Sequence, residues 1–519
     1  MKQLSAPTRR VILLPLLLVA LLSSQTNAAH DDEDRPSPPC SPADRAALLG
    51  FKSGIAADTT GILATWSGAD CCGAWDGVSC DAATGRVVAL QLEAPPPKER
   101  HYMEGTISPS LGNLEFMETL VIRDMGKIGG AIPAAALSRL TRLKQLYLEG
   151  NLLVGPIPGS LSKLRSLQYL SLAGNRLEGH LPPEISFVSG LQQINVARNR
   201  LAGALPPSYK NLSKLAYLDM SNNLLSGAIP GFLGQFKNLA LLDLSNNSFS
   251  GDIPASLCAL RSLTDLSLSH NKLTGQIPSK LGSLRSLSSL AIADNMLVGS
   301  IPSLLGLQKL WNLNLSRNAL SGPLPAVGLS SLMSMDLSDN RLTGEIDDFL
   351  KSLSLSIPVR ATLPNNKKKN LLIVLPQKLE HLDVSGNRVT GALPEFVGGG
   401  LKWLDVSSNA IGGQIPSTVS KLRDLERLDV SRNRVRGVIP ASMAGMARLQ
   451  WLDLSSNEIV GRIPENFTRL GSVRHASFRG NKLCGQIPQG RPFNLFPAAA
   501  YAHNLCLCGK PLPPCRKIL

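Results

Sequence analysis

The chain is 519 residues long with a formal net charge of +15, a balance that favours polyanionic partners and says nothing about fold. Nine cysteines and an export signal place it outside the cell. That excludes nucleic acid and leaves acidic wall polysaccharide, weakly bound, as the polyanion within reach, with a solvated, solubility-conferring surface as the equal alternative.

Residues 1–28 read as a secretory leader: Lys2, Arg9 and Arg10 precede the apolar run Val11–Leu22, and small residues near Ala28 and Ala29 suit cleavage. The run contains Pro15 and is too short to cross a membrane, and no later segment approaches eighteen uninterrupted apolar residues. A soluble, exported protein with no membrane span is expected. Without the leader, 53 less 3 Lys and Arg against 38 Asp and Glu leaves a charge of +12.

Residues 29–86 form an N-terminal cap with Cys40, Cys71, Cys72 and Cys80. Ser41, Pro42 and Asp44 are an N-cap, an N1 proline and an acidic first-turn residue, so a helix is expected there, with Leu48, Phe51 and Ile55 on its buried face. Adjacent Cys71 and Cys72 do not easily bridge each other, so Cys40–Cys71 with Cys72–Cys80 is the natural pairing.

Residues 87–483 repeat. Asn151, Asn175, Asn199, Asn223, Asn247, Asn271 and Asn295 are each 24 residues apart, and the series continues through Asn318, Asn340, Asn387, Asn409, Asn433, Asn457 and Asn481. Such a period, with this leucine spacing, means a stacked solenoid. Around Asn175, Leu170 and Leu172 enter the core of a strand while Tyr169, Ser171 and Ala173 face out. Asn175 bonds backbone groups of neighbouring coils, and Gly179 permits positive φ. Roughly sixteen coils stacked about 4.8 Å apart give a concave parallel sheet on the order of 75 Å long. The period breaks twice. One extra residue loosens the second coil near Met125–Gly130, and the 47-residue interval from Asn340 to Asn387 holds either a degenerate coil or an interrupting loop at 347–379. The run Lys367–Lys369 there reads chiefly as a solvated loop.

Four sequons, at Asn211, Asn246, Asn314 and Asn466, are candidate glycosylation sites, Asn314 on the concave sheet. Cys258 is left unpaired, an inert thiol on the convex side. Residues 484–519 form a C-terminal cap, for which we pair Cys484–Cys506 and Cys508–Cys515, although sequence alone leaves connectivity open. The column six residues before each asparagine varies most. It reads Gln145, Tyr169, Gln193, Tyr217, Leu241 and Asp265, then, after the interruption, His381, Trp403, Arg427, Trp451 and His475. Tryptophan, tyrosine and arginine carry interface energy, so this second run is the candidate partner surface, with Asp405, Asp429 and Asp453 beside it to orient a partner. The competing reading is that the rings pack sideways on one another. L-D-L-S is also the repeat consensus, which favours a structural role for the aspartates. No phosphate loop, nucleophile elbow or zinc-ligand motif is present and the histidines are scattered, so neither catalysis, a metal nor a cofactor is expected.

The unit L-x-x-L-x-L-x-x-N-x-L-x-G-x-I-P resembles the plant-specific leucine-rich repeat. DRAALLGFKSGI with DCCGAWDGVSC resembles that family's N-terminal cap. NKLCGQIP with NLCLCGKPLPPC resembles the C-terminal cap of polygalacturonase-inhibiting and receptor-like proteins. The resemblance covers Cys40 to Cys515 and implies an α/β leucine-rich repeat solenoid: a curved right-handed superhelix with a concave parallel β-sheet, a short 3-10 or irregular convex side and disulfide-stabilised caps. It makes the interruption a short island in its second reading. It also implies a non-enzymatic apoplastic recognition protein in defence or development, of the soluble kinase-less branch that includes DNA-damage-toleration-type proteins. Its partner would be an extracellular protein or peptide, with a receptor kinase beside it. The alternative is inhibition of a microbial polygalacturonase.

Overall fold

The computed structural model describes residues 38–98, 100–325, 331–353 and 373–515; the leader at 1–28 and the Lys367–Lys369 run lie outside them. Each coil contributes a short strand whose alternate side chains enter the core. Leu170 and Leu172 are 2% and 0% exposed. Their outward neighbours Ser171 and Ala173 are also buried, at 0% and 2%, contrary to expectation. Strands lie so close that small side chains are screened by larger ones beside them, here Tyr147 and Asn195 flanking Ser171 in register.

Among the described residues, sixteen parallel strands form the concave sheet, from Val87–Glu93 to His475–Ser477, with Val78–Cys80 antiparallel at its first edge. Each strand pairs with the next coil, as Tyr169, Gln193 and Tyr217 do, so the sheet is an open ribbon with two ends. A second run of short parallel strands, such as Arg176–His180 and Arg200–Gly203, flanks it. Short 3-10 turns such as Pro183–Phe187 line the convex side, and leucines and isoleucines fill the space between. Gly179 has φ +82°, as its turn requires.

The asparagines form a ladder of buried and half-buried side chains. Asn433 Nδ2 donates to the carbonyls of Val406, Val430 and Ser431 at 2.9, 3.1 and 3.1 Å, and its Oδ1 accepts from Ile411 N at 3.0 Å. The pattern spans the long interval. Ser334–Asp336 pairs directly with His381–Asp383, Asn387 Nδ2 reaches Leu337 O at 3.0 Å, and Leu342 N donates to Asn387 Oδ1 at 2.9 Å. Concave strand pairing thus passes directly across the interval, whose described residues include the helix Ile346–Leu353. At the earlier break the ladder is incomplete: the slot before Asn151 holds buried Met125, and Asn151 Oδ1 is buried without a partner.

The N-terminal helix is Pro42–Lys52. Ser41 makes no side-chain cap bond, and Ile55 starts the strand Ile55–Asp58 instead of extending the helix, because the chain turns at Ser53 and Gly54. Asp44, fully buried, accepts two 2.9 Å bonds from the Arg86 guanidinium and one of 2.8 Å from Val87 N, tying the helix to the first repeat strand. Disulfides join Cys40 to Cys71, Cys72 to Cys80, Cys484 to Cys506 and Cys508 to Cys515. Asn504 in the C-terminal cap continues the ladder, donating to Phe478 O at 3.0 Å and accepting from Leu483 N at 3.1 Å. Cys258 is a buried free thiol in the 3-10 turn Ala255–Ala259, and burial raises its pKa.

Candidate functional site

His381, Trp403, Arg427, Trp451 and His475 occupy equivalent places on five consecutive strands and lie in register. Strand spacing sets their separation, and that spacing suits flat groups placed face to face. The Arg427 guanidinium carbon stands 4.3 Å from the Trp403 ring centre and 4.4 Å from that of Trp451, sandwiched between two indoles. His475 stacks on the far face of Trp451 at 3.6 Å, and His381 tilts against Trp403 at 5.2 Å. The first-half column has no comparable stack: Tyr169 and Tyr217 are separated by Gln193.

The stack changes what the column offers. Its rings cover one another's faces and are half-buried, so their edges, not their faces, line the groove. Arg427 Nη2 is 3.3 Å from Oδ2 of both Asp405 and Asp429, whose side chains are only 8% and 9% exposed. These two carboxylates neutralise Arg427 and are not free to orient a partner, as had been expected of them. Asp453 Oδ2 is 3.9 Å from His475 Nε2 and remains half-buried at the groove. The indole N–H groups of Trp403 and Trp451 and Nε of Arg427 are buried without partners.

Each aspartate of the neighbouring column uses one oxygen to close its own strand. Oδ1 of Asp383, Asp405, Asp429 and Asp453 accepts from the backbone amide two residues on, at 2.9 to 3.1 Å. This is the physical content of the L-D-L-S pattern. Burial, then the carboxylates of Asp405 and Asp336 alongside, push the Asp383 pKa up to about 7. Burial lowers that of the His381 imidazole.

A depression of about 450 Å³, lined by Glu426, Arg448, Gln450, Ser472 and Arg474, adjoins the stack. It was not legible in the sequence, because its walls come from three coils and follow no column of unusual residues. Among the described residues, one close metal-ligand group is Cys40, Cys71 and Cys72, all in disulfides. Another is the acidic trio Glu345, Asp347 and Asp348, where Lys351 bridges both aspartates. No helix among them is long and apolar enough to cross a membrane. Of the sequons, Asn211 and Asn246 are exposed. Asn314 lies half-buried in the aspartate column, its Oδ1 accepting from Ser316 N at 3.0 Å, and Asn466 donates to Ala441 O at 3.1 Å.

Models described as "Leucine rich repeat" match residues 130–177, 189–249 and 399–459, and 262–284, 331–353 and 378–399; "Leucine rich repeat N-terminal domain" matches 41–81. The chain is 38% identical over 120 residues to DNA damage-repair/toleration protein DRT100 of Arabidopsis thaliana, covering 22% of this chain and 32% of that one. It is 35% identical over 111 residues to a polygalacturonase inhibitor of Vitis vinifera, covering 21% and 30%. The chain thus matches about a third of the length of these relatives. Among solved structures it is similar to the plant peptide hormone receptor RGFR1 in complex with RGF2. That likeness has 26% identity, covers 78% of this chain and 77% of that one, and has a TM-score of 0.55.

Proposed function

This chain is an extracellular plant leucine-rich repeat protein that acts by binding and not by catalysis, and from that premise we propose that the stack from His381 to His475 is its contact surface for an extracellular protein or peptide. The observation that carries the proposal is the Trp403–Arg427–Trp451 sandwich. It gathers the residue types that dominate interface energy and holds them rigid before any partner arrives, so little side-chain entropy is lost on binding. Five strands in register present an elongated strip, suited to an extended segment. The likeness to a peptide hormone receptor supports a receptor-like role, or one beside a receptor kinase, in defence or development.

The partner is found by capture from plant extracellular fluid on the immobilised protein. Trp403→Ala with Trp451→Ala should weaken its binding by about thirtyfold, on the order of 2 kcal/mol, while melting stays cooperative. Binding within about twofold of wild type would remove the stack from consideration.

Inhibition of a microbial polygalacturonase is the second reading, favoured by the likeness to the grapevine inhibitor. Adding the protein in large excess to a fungal polygalacturonase separates the two: undiminished hydrolysis leaves the receptor-like reading standing alone.

A further inference from the structure

The flank of the last coils carries an excess of positive charge. After each ladder asparagine the chain leaves the concave sheet and enters the lateral strands Arg436–Val438, Glu458–Gly461 and Lys482–Gln486, which pair in parallel. Arg432, Arg434, Arg436, Arg462, Arg479 and Lys482 are all exposed along these three coils. Arg462 lies across the next strand: a Cβ on Gly485 would come 3.1 Å from its Cγ, so the missing side chain makes room for the arginine stem. The only carboxylate on these lateral strands, Glu458, is 3.5 Å from Lys482. Among the described residues, none of the five arginines has an ion-pair or side-chain hydrogen-bond partner. On the opposite rim, Lys402 pairs with Glu380 and Arg448 with Asp424.

Unpaired like charges held at coil spacing repel one another, and a partner that brings regularly spaced anions relieves that repulsion. No aromatic side chain stands among the six, so the flank lacks the anchors of a protein hot spot; its exposed apolar residues are Val438 and Val460. Repetition without anchors matches a repeating polymer better than a folded protein. We infer that this flank is an anchoring surface for a linear acidic polysaccharide, a chain of uronate sugars. It is separate from the concave stack, so the protein can be held in an acidic matrix while its groove stays open.

Binding of the full protein to immobilised polygalacturonate, with neutral dextran as reference, tests this. Wild type should be retained at low salt and released as screening shortens the reach of exposed charges. Arg434→Glu, Arg436→Glu and Arg462→Glu together should weaken retention by about tenfold or more, whereas Lys210→Glu, Lys214→Glu and Lys237→Glu, the same change in net charge on the convex side, should stay within about twofold. Trp403→Ala with Trp451→Ala should bind polygalacturonate normally, which keeps this result independent of the concave surface. Equal losses in the two charge-reversed proteins would reduce the effect to net charge. Absence of retention, or equal retention on dextran, would overturn the inference. Displacement by polyglutamate at far lower concentration than by soluble polygalacturonate would reassign the flank to an acidic protein.

Discussion

Asn433 joins two coils through four hydrogen bonds, three from its amide nitrogen and one to its oxygen. Asn433→Ala strands those backbone groups at the half-buried junction of two coils, at an expected cost of about 2–4 kcal/mol read by urea unfolding. A loss below about 0.5 kcal/mol would mean that water replaces the side chain. The ladder was legible because asparagine recurs in one slot. The backbone before it was less so: Arg198, Arg317 and Arg432 hold φ of 54°, 53° and 53°, a left-handed conformation that long side chains rarely adopt. The clue was Gly150, Gly174, Gly386 and Gly480 in the same slot. Asp383 supplies a second prediction. Its pKa is about 7 in the fold and about 3.9 when unfolded, so between these values the folded state binds more protons. Stability from this group therefore falls as pH rises from about 4 to 7. Wild type should melt higher at pH 5 than at pH 7.5, and Asp383→Asn should flatten that difference. An unchanged slope would place the effect elsewhere.

At the scale of elements, the caps do what the ends of a stack require. Uncovered, the first and last coils would expose their core leucines, and the cap disulfides hold the covering segments in place. Cys72→Ser with Cys80→Ser should cost about 2–5 kcal/mol and cut secretion, measured by melting and by yield in the medium; unchanged values would show that Asp44 and Arg86 suffice. That ion pair was invisible in the sequence because its partners are 42 residues apart and Asp44 doubles as an ordinary first-turn acid. Asn504 was hidden for a related reason: the cap carries the ladder forward with Tyr501 and Cys506 in the slots where a repeat has leucine. The tryptophan column was legible as a column, whereas its burial was not. Pattern shows which residues are neighbours; only coordinates show that Arg427 fits between the rings and spends Asp405 and Asp429.

The whole molecule is held by neighbour-to-neighbour contacts, so its stability need not be uniform along its length. The weak point is the second coil, where Met125 fills the asparagine slot and Asn151 Oδ1 lacks its bond. Backbone amides of Gly126–Ala131 should exchange with deuterium about fivefold faster than those of Arg176–His180, since one unmade bond is worth about 1 kcal/mol. Equal protection would show that the break is repaired by other contacts. The same linear logic gives the groove something like a reading frame. Every position along it is addressed in units of one coil, so length can change only by whole coils without scrambling what the surface displays. Excising Ala410–Asn433, one full 24-residue period, would leave Asn409 followed by Arg434 as Asn433 was, and the strand of Trp403 beside that of Trp451. The two indoles would meet with their arginine spliced out. A new surface would thus arise from an in-frame deletion, with both ends of the solenoid untouched.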